Sequence, residues 1–224
     1  MFKYILFDLD GTLTDPKIGI TRSVQYALCA LGIDEPCLDK LESFIGPPLS
    51  DSFREFYGLN EEQIVMAIAK YRERFAQQGI YENEIYPGIS EMLAELKKKG
   101  KILAIASSKP TLFVERILDY FDIRMYFDFV IGSNMDGTRS RKEEVVEETL
   151  RQMIPTEMTP HEKKDTVVMV GDRKFDIEGA KAQGITSIGV YFGYGSQEEL
   201  EQAGADFTVN SVESLSVVLT LGTA

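Results

Sequence analysis

The sequence predicts an α/β protein, a doubly wound and mostly parallel sheet with a Rossmann-like core, interrupted by an inserted all-helical segment. Three observations carry this expectation. An apolar run, Tyr4-Ile5-Leu6-Phe7, opens the chain; from Pro87 onward short apolar runs alternate with helical patterns; and between Asp15 and Tyr86 only helical periodicity occurs. Strand and helix in alternation build a parallel sheet covered on both faces. A crossover normally holds one helix, so about seventy residues of helix directly after the first strand read as an insertion. With 224 residues the chain can hold one full core and a subdomain. The expected division is residues 1–15 and 87–224 as the α/β core and 16–86 as a helical cap.

Taken in order, Tyr4 to Phe7 is β-favouring and apolar on both sides, as a strand buried on both faces requires. Ile18, Ile20, Val24, Ala27, Leu28 and Leu31 follow helical spacing up to Gly32, with Asp15 or Thr21 available near the start. Further helical patterns cover Cys37 to Phe44, Leu49 to Tyr57, and Asn60 to Gln78, the last with Asn60 as cap and Glu61 and Glu62 in its first turn. Asp15-Pro16 and Tyr86-Pro87-Gly88 form turns at the two ends of this block, where domain boundaries tend to fall. Gly46-Pro47-Pro48 is either a rigid loop able to reach over a site or an interhelix turn. In the second half the expected elements are a helix at Ile89 to Lys99, a strand at Ile102 to Ala106 and a helix at Thr111 to Tyr120. A strand at Phe127 to Gly132, a helix at Arg141 to Met153 and a polar connection with Pro155, Pro160 and His161 come next. A strand at Thr166 to Val170, a helix through Ala182, a strand at Thr186 to Val190 and an edge strand at Phe207 to Val209 complete the sheet.

The first strand ends in chemistry. Asp8 and Asp10 follow on alternate positions, so in extended backbone both side chains leave on one side, and Gly11 and Thr12 then break the strand. Two carboxylates so close repel unless a proton or cation lies between them, and a hard divalent ion such as Mg²⁺ takes such oxygen ligands. A solvated acidic turn is the bland alternative. Three later sites fall at strand ends or helix starts, the edge at which open α/β sheets carry ligands. Ser107, with Ser108 beside it, either caps a helix or binds a phosphoryl oxygen. Lys142 stands near a helix start, where the dipole disfavours a cation, so helix stability alone does not explain it. Asp172 and Asp176, in "GDRKFD", suit a helix start as caps and equally suit a metal.

The stretch "KYILFDLDGTLTD", the strand-end Ser107, Lys142 and the Gly-Asp-x-x-x-Asp of Gly171 to Asp176 together resemble the four motifs of the haloacid dehalogenase superfamily, in the family's order and over the whole chain. The resemblance implies that Asp8 is a nucleophile that accepts a phosphoryl group and Asp10 the general acid/base. It implies that Ser107 and Lys142 contact the phosphoryl oxygens. Mg²⁺ would be held by Asp8, Asp172 and the Asp10 carbonyl, with Asp176, Gly11, Thr12 and Ser108 in support. The helical insertion after the first motif is similar to the cap of the phosphoglycolate phosphatase-like branch, whose members are also labelled 5'-nucleotidase; Pro16 departs from the Ser usual there. The implied activity is hydrolysis of a small phosphate ester, phosphoglycolate slightly ahead of a nucleoside monophosphate, with Gly46 and Pro47 as a possible substrate loop. A hexose-phosphate mutase of the β-phosphoglucomutase type and a non-catalytic Mg²⁺-binding module are the alternatives.

Composition narrows the partners. A formal net charge of −12 repels nucleic acid and anionic membranes, so neither is expected. No run of 18 apolar residues occurs, and the chain enters a strand within three residues, so neither a spanning helix nor a signal peptide is expected. Cys29 and Cys37 lack metal-type spacing and read as buried free thiols of a cytoplasmic protein. A monomer or weak homodimer is expected.

Overall fold

The computed structural model describes residues 1–222. Strand β1 (Tyr4–Phe7) leads through a turn into the short β2 (Thr14–Asp15). Helices α1 (Lys17–Ala30), α2 (Leu49–Tyr57) and α3 (Glu61–Arg74) follow, with a 3-10 segment at Leu38–Phe44 and a π turn at Phe75–Gly79, before β3 (Glu84–Ile85). Alternation then begins: α4 (Ile89–Lys98), β4 (Ile102–Pro110), α5 (Thr111–Tyr120), β5 (Phe129–Ser133), α6 (Lys142–Met153) and α7 (Pro160–Thr166). The chain continues through β6 (Val167–Gly171), α8 (Lys174–Ala182), β7 (Thr186–Val190), α9 (Gln197–Ala203), β8 (Phe207–Val209) and α10 (Val212–Leu221). It separates into two compact units, one of Met1–Thr14 with Ile85–Ala224 and one of Asp15–Glu84.

The first unit is built on a six-stranded sheet in the order β5-β4-β1-β6-β7-β8, every pair parallel. Central β1 is buried along its whole length, which explains its continuous apolar run. Leu6 lies opposite Ala104 on one neighbour and Met169 on the other, and all three enter one cluster with Val145, Val146, Leu150 and Met153 of α6. Each such large side chain taken fully from water contributes about 1.5–3 kcal/mol. This packing fixes α6 on the sheet, and with it the residue that starts α6.

In the second unit, Phe44 is the anchor: its ring meets Phe53 at 5.0 Å, Phe56 at 5.5 Å and Tyr57 at 6.0 Å, tying α2 to the 3-10 segment. At the other end Arg74 donates to both carboxylate oxygens of Glu82, at 2.8 and 3.0 Å, and to Ser23 Oγ at 3.2 Å. These hydrogen bonds, stronger than the opposing burial, hold the Glu82 carboxyl below its usual range. The Gly19 amide donates to the Glu82 carbonyl at 3.0 Å, and a Cβ on Gly19 would overlap the Gly79 carbonyl.

Several expectations need correction. Cys29 and Cys37 are free but exposed; Cys29 falls on the outer side of an amphipathic helix, and helical spacing does not by itself give the face. The connection around His161 holds a helix, α7, started by Thr159, whose hydroxyl accepts from the Glu162 amide at 3.2 Å; Pro160 at its first turn favours this start, where a polar connection was expected. The segment before Tyr86 contains β3, paired with β2, where no strand was expected; two residues are too few for an alternation signal. Strand β4 runs four residues beyond Ala106, and the pattern at Cys37 to Phe44 closes as a 3-10 helix. The Asn60 helix has the expected cap, Asn60 Oδ1 accepting from Gln63 N at 3.0 Å, but turns to π geometry at Phe75.

The close approach of α1 to the π turn generates a prediction for the helical unit. Gly19→Ala forces a methyl into the Gly79 carbonyl and should destabilise the protein by about 1–3 kcal/mol, the usual cost of overpacking. Chemical denaturation measures this, and an unchanged midpoint would contradict the approach.

Candidate active site

At the end of β1 the chain keeps its sheet bonding one residue further, the Asp8 amide donating to the Val170 carbonyl at 2.9 Å. It then turns tightly: Gly11, at φ +82, donates to the Thr14 carbonyl at 2.8 Å, and Leu13 and Thr14 donate back to Leu9. Leu9 and Leu13 are fully buried, which pins the turn, while Asp8 and Asp10 stay 4% and 8% exposed. Asp172 directly follows β6, and Asp176 lies one turn on, in α8. Because β1 and β6 are hydrogen-bonded neighbours, the two acidic strand ends meet. One carboxylate oxygen from each of Asp8, Asp172 and Asp176 lies within 4.8 Å of the others. This is the strand end at which the chain order reverses across the sheet, the usual place for a ligand.

Lys142, the first residue of α6, enters this acidic group. Its ammonium is 2.8 Å from Asp8 Oδ1 and 2.8 Å from Asp176 Oδ1, and donates to the Ala106 carbonyl at 3.0 Å. Burial would lower its pKa, but Asp176 and Asp8 more than offset that and hold the ammonium above its usual value. The pairing accounts for a cation at a helix start that the dipole disfavours. Asp8 Oδ1 and Asp176 Oδ1 are close enough to Lys142 for ion pairing yet receive no aligned hydrogen bond, so each keeps acceptor capacity.

The remaining oxygens are oriented individually. Asp172 Oδ1 accepts from Thr12 Oγ1 at 3.3 Å and Oδ2 from the Tyr194 amide at 2.8 Å. Asp176 Oδ2 accepts from the Arg173 amide at 3.1 Å, a capping contact at the start of α8. Burial and the neighbouring Asp176 and Asp8 push the Asp172 carboxyl well above the ordinary range. Asp176 is pushed up to about 6 by burial, against the opposing Lys142.

Sequence reasoning missed two participants. Lys109 lies 2.6 Å from Asp10 Oδ2 and 2.8 Å from Oδ1. It reaches there because β4 bulges: Ala106 pairs with Ile131 and Pro110 with Ser133, so four steps on β4 oppose two on β5. The available signal was its position two residues beyond Ser107, which places both on one side of extended backbone. Burial raises the Asp10 pKa, with Lys109 opposing. Tyr194 takes part through its amide, which no side-chain pattern announces.

Ser107 is buried, and its hydroxyl accepts a long 3.4 Å bond from the Lys109 amide. Ser108 is half-buried and takes no part in this bonding. Gly46 and Pro47 belong to the other unit, in the loop between the 3-10 segment and α2. The first unit therefore gathers Asp8, Asp10, Thr12, Lys142, Asp172 and Asp176 as hydrogen-bonded or ion-paired neighbours, with Gly11 against Asp172 and Ser107 beside Lys109. Four carboxylates face two ammonium groups, an excess of two negative charges when all are ionised.

Comparison with known proteins places the chain in a family. A family model described as haloacid dehalogenase-like hydrolase matches residues 5–190. A 5'-nucleotidase of Pseudomonas aeruginosa is 47% identical over 196 residues, 88% of this chain and 86% of that protein. A phosphoglycolate phosphatase of Vibrio parahaemolyticus is 31% identical over 226 residues, 97% of this chain and 96% of that one. The solved structure of a predicted phosphatase from Clostridium acetobutylicum has a TM-score of 0.90 at 44% identity, over 96% of this chain and 97% of that one. On a family match spanning most of its length, and on relatives this similar over nearly all of theirs, the chain belongs to the haloacid dehalogenase-like hydrolases.

Proposed function

We propose that the protein is a Mg²⁺-dependent phosphomonoesterase that acts on a small phosphorylated metabolite through an aspartyl phosphate. The observation that carries this reading is the buried group of four carboxylates and two lysines at the carboxyl ends of β1, β4 and β6. A divalent cation fits it: the four carboxylates outnumber the two ammonium groups, and one oxygen from each of Asp8, Asp172 and Asp176 lies within 4.8 Å of the others. Asp8, Asp172 and the Asp10 backbone carbonyl would hold the ion, with Asp176 behind them. Bound there, Mg²⁺ supplies charge that offsets the repulsion between Asp8 and an incoming phosphate dianion.

Asp8 attacks the phosphorus in line, the phosphorus to ester-oxygen bond breaks, and the leaving oxygen takes the proton carried by Asp10. The raised pKa of Asp10, set by its burial, suits a group that must arrive protonated. Asp10, now ionised, removes a proton from water; the resulting hydroxide attacks phosphorus, phosphate leaves and Asp8 is restored. Lys142 and Ser107 stabilise the phosphoryl oxygens. The helical unit serves as a cap that selects the leaving group, with Gly46 and Pro47 as its candidate substrate loop. Among substrates a nucleoside monophosphate now leads phosphoglycolate, reversing the order drawn from sequence, because the relative named 5'-nucleotidase is much more similar than the phosphoglycolate phosphatase. A cytoplasmic monomer or weak homodimer completes the reading; no described helix is long and apolar enough to cross a membrane.

A panel of about a hundred phosphorylated metabolites, assayed for released phosphate with Mg²⁺ and with chelator, tests this. Nucleoside monophosphates should be hydrolysed, and chelator should abolish turnover until Mg²⁺ is restored. Turnover unaffected by chelator, or conversion of β-glucose 1-phosphate to glucose 6-phosphate as the leading activity, would overturn it.

The two acids at β1 should separate by substitution. Asp8→Asn should lower turnover by at least about a thousandfold, since the nucleophile's charge is gone. Asp10→Asn should still accept phosphate from an aryl ester and then stall. Intact mass after rapid quench should carry one added phosphoryl group in Asp10→Asn and none in Asp8→Asn; the reverse pattern exchanges the roles.

The burial of Asp176 also predicts a pH effect in chelator. The folded Asp176 keeps its proton up to about 6, whereas the unfolded chain loses it near the ordinary 3.8. Between those values the folded state binds more protons, so this group's contribution to stability falls as pH rises. Thermal unfolding of wild type should therefore lose ground relative to Asp176→Asn from about pH 4 to about pH 6, and Mg²⁺ should restore it. A pH-independent difference would contradict the raised pKa of Asp176.

A further inference from the structure

We infer, resting on the reading of Asp172 as a metal ligand, that the Gly193-Tyr194-Gly195 loop is the positioning element of the metal site, and that it acts through the Tyr194 backbone N–H. This loop follows β7 and lies outside residues 5–190 matched by the family model. Its donor reaches Asp172 Oδ2 at 2.8 Å, leaving Thr12, at a longer 3.3 Å, as the partner of Oδ1. Asp172 is fully buried beside two further carboxylates that repel it. A carboxylate in that position turns away from its neighbours unless a fixed donor holds it, and a backbone amide in an anchored loop gives up less freedom than a side chain.

Two glycines bring the amide within reach. A Cβ on Gly193 would lie 2.6 Å from Asp172 Oδ2 and overlap both the Gly11 carbonyl and the Asp172 Cβ. A Cβ on Gly195 would overlap the Asp172 carbonyl. Any larger residue at either place pushes Tyr194 N away from Asp172. The loop is also held at both ends. Tyr191 N donates to the Val209 carbonyl of β8 at 2.9 Å, and the Phe192 ring packs edge-on against Tyr86 at 5.3 Å. Beyond the loop, Ser196 caps α9, and Glu199 Oε1 accepts from Arg173 Nε at 2.8 Å and from the Lys174 amide at 2.9 Å. The far end of the loop is thereby tied to the two residues that directly follow Asp172. Orientation of a metal-binding carboxylate by such a donor is worth about 10–100-fold in metal affinity.

The test compares two substitutions at one position, read by calorimetric titration of the metal-free protein with Mg²⁺ alone. Tyr194→Pro deletes the N–H and should weaken Mg²⁺ binding by about tenfold or more, while Tyr194→Ala keeps the N–H and should stay within about twofold of wild type. Melting of both metal-free variants separates a lost donor from a lost fold. If Tyr194→Pro does not fold, ¹⁵N-tyrosine-labelled wild type answers instead. Its Tyr194 amide resonance, identified by its absence from Tyr194→Ala, should move with Mg²⁺ at the calorimetric midpoint. Wild-type affinity in folded Tyr194→Pro, an equal loss in Tyr194→Ala, or a stationary Tyr194 resonance during binding would overturn the inference while leaving the metal reading intact. Absence of Mg²⁺ binding in wild type would overturn both.

Discussion

Mutual repulsion among Asp8, Asp10, Asp172 and Asp176 is the constraint on which the rest of the structure depends. Four carboxylates buried together are tolerable only if each oxygen is answered by a donor, a proton or a cation. The protein supplies two ammonium groups, a threonine hydroxyl and two backbone amides, and stops short of neutrality. Removing one partner from a buried pair of this kind typically costs about 3–5 kcal/mol, because the other charge is left without compensation. The crowding is a standing cost in stability, concentrated where the catalytic reading needs charge, and burial, with the neighbouring carboxylates adding to it, raises the pKa values of Asp172 and Asp176.

The sheet order is what makes the crowding possible. A strand end can present one or two side chains to a ligand, so a denser group has to be drawn from neighbouring strands. With β1 between β4 and β6, the first strand contributes Asp8 and Asp10, one neighbour Asp172, and the other Ser107 and Lys109. Lys142 arrives from a helix, and the apolar packing of Val145, Val146 and Leu150 on the sheet holds that helix start over the strand ends. The core is thus the rigid mount for the charges, and its apolar burial offsets their repulsion.

Much of this was legible in the sequence. Asp8, Asp10, Asp172 and Asp176 stand where an apolar run gives way, and Lys142 at the start of a helical pattern, all local signals, and β7 and β8 have the boundaries that alternation gives them. Lys109 was not legible as a participant, because a bulge depends on how β4 pairs with β5, and pairing is not a property of one strand. Tyr194 was hidden for a different reason: its contribution is a main-chain amide that every residue but proline carries, and only the flanking glycines hint at a close approach. The exposed Cys29 and Cys37, and the helix at Pro160, reflect the weakness of short amphipathic patterns in deciding which face is turned outward or whether a polar stretch folds.

The bulge in β4 separates two things that a regular strand would couple. Side chains along a strand alternate faces, so inserting or deleting a single residue inverts everything after it. Here the surplus is two residues, an even number, and the alternation on either side of it stays in phase. The bulge therefore re-aims the end of β4 without inverting the faces on which the core beneath depends. Ser107 and Lys109 both lie within this irregular stretch, between Ala106 and Pro110, while the acids and Lys142 lie outside it. The cation set against Asp10 is thus carried by the pairing of β4 with β5, apart from the apolar packing of α6 that mounts Lys142.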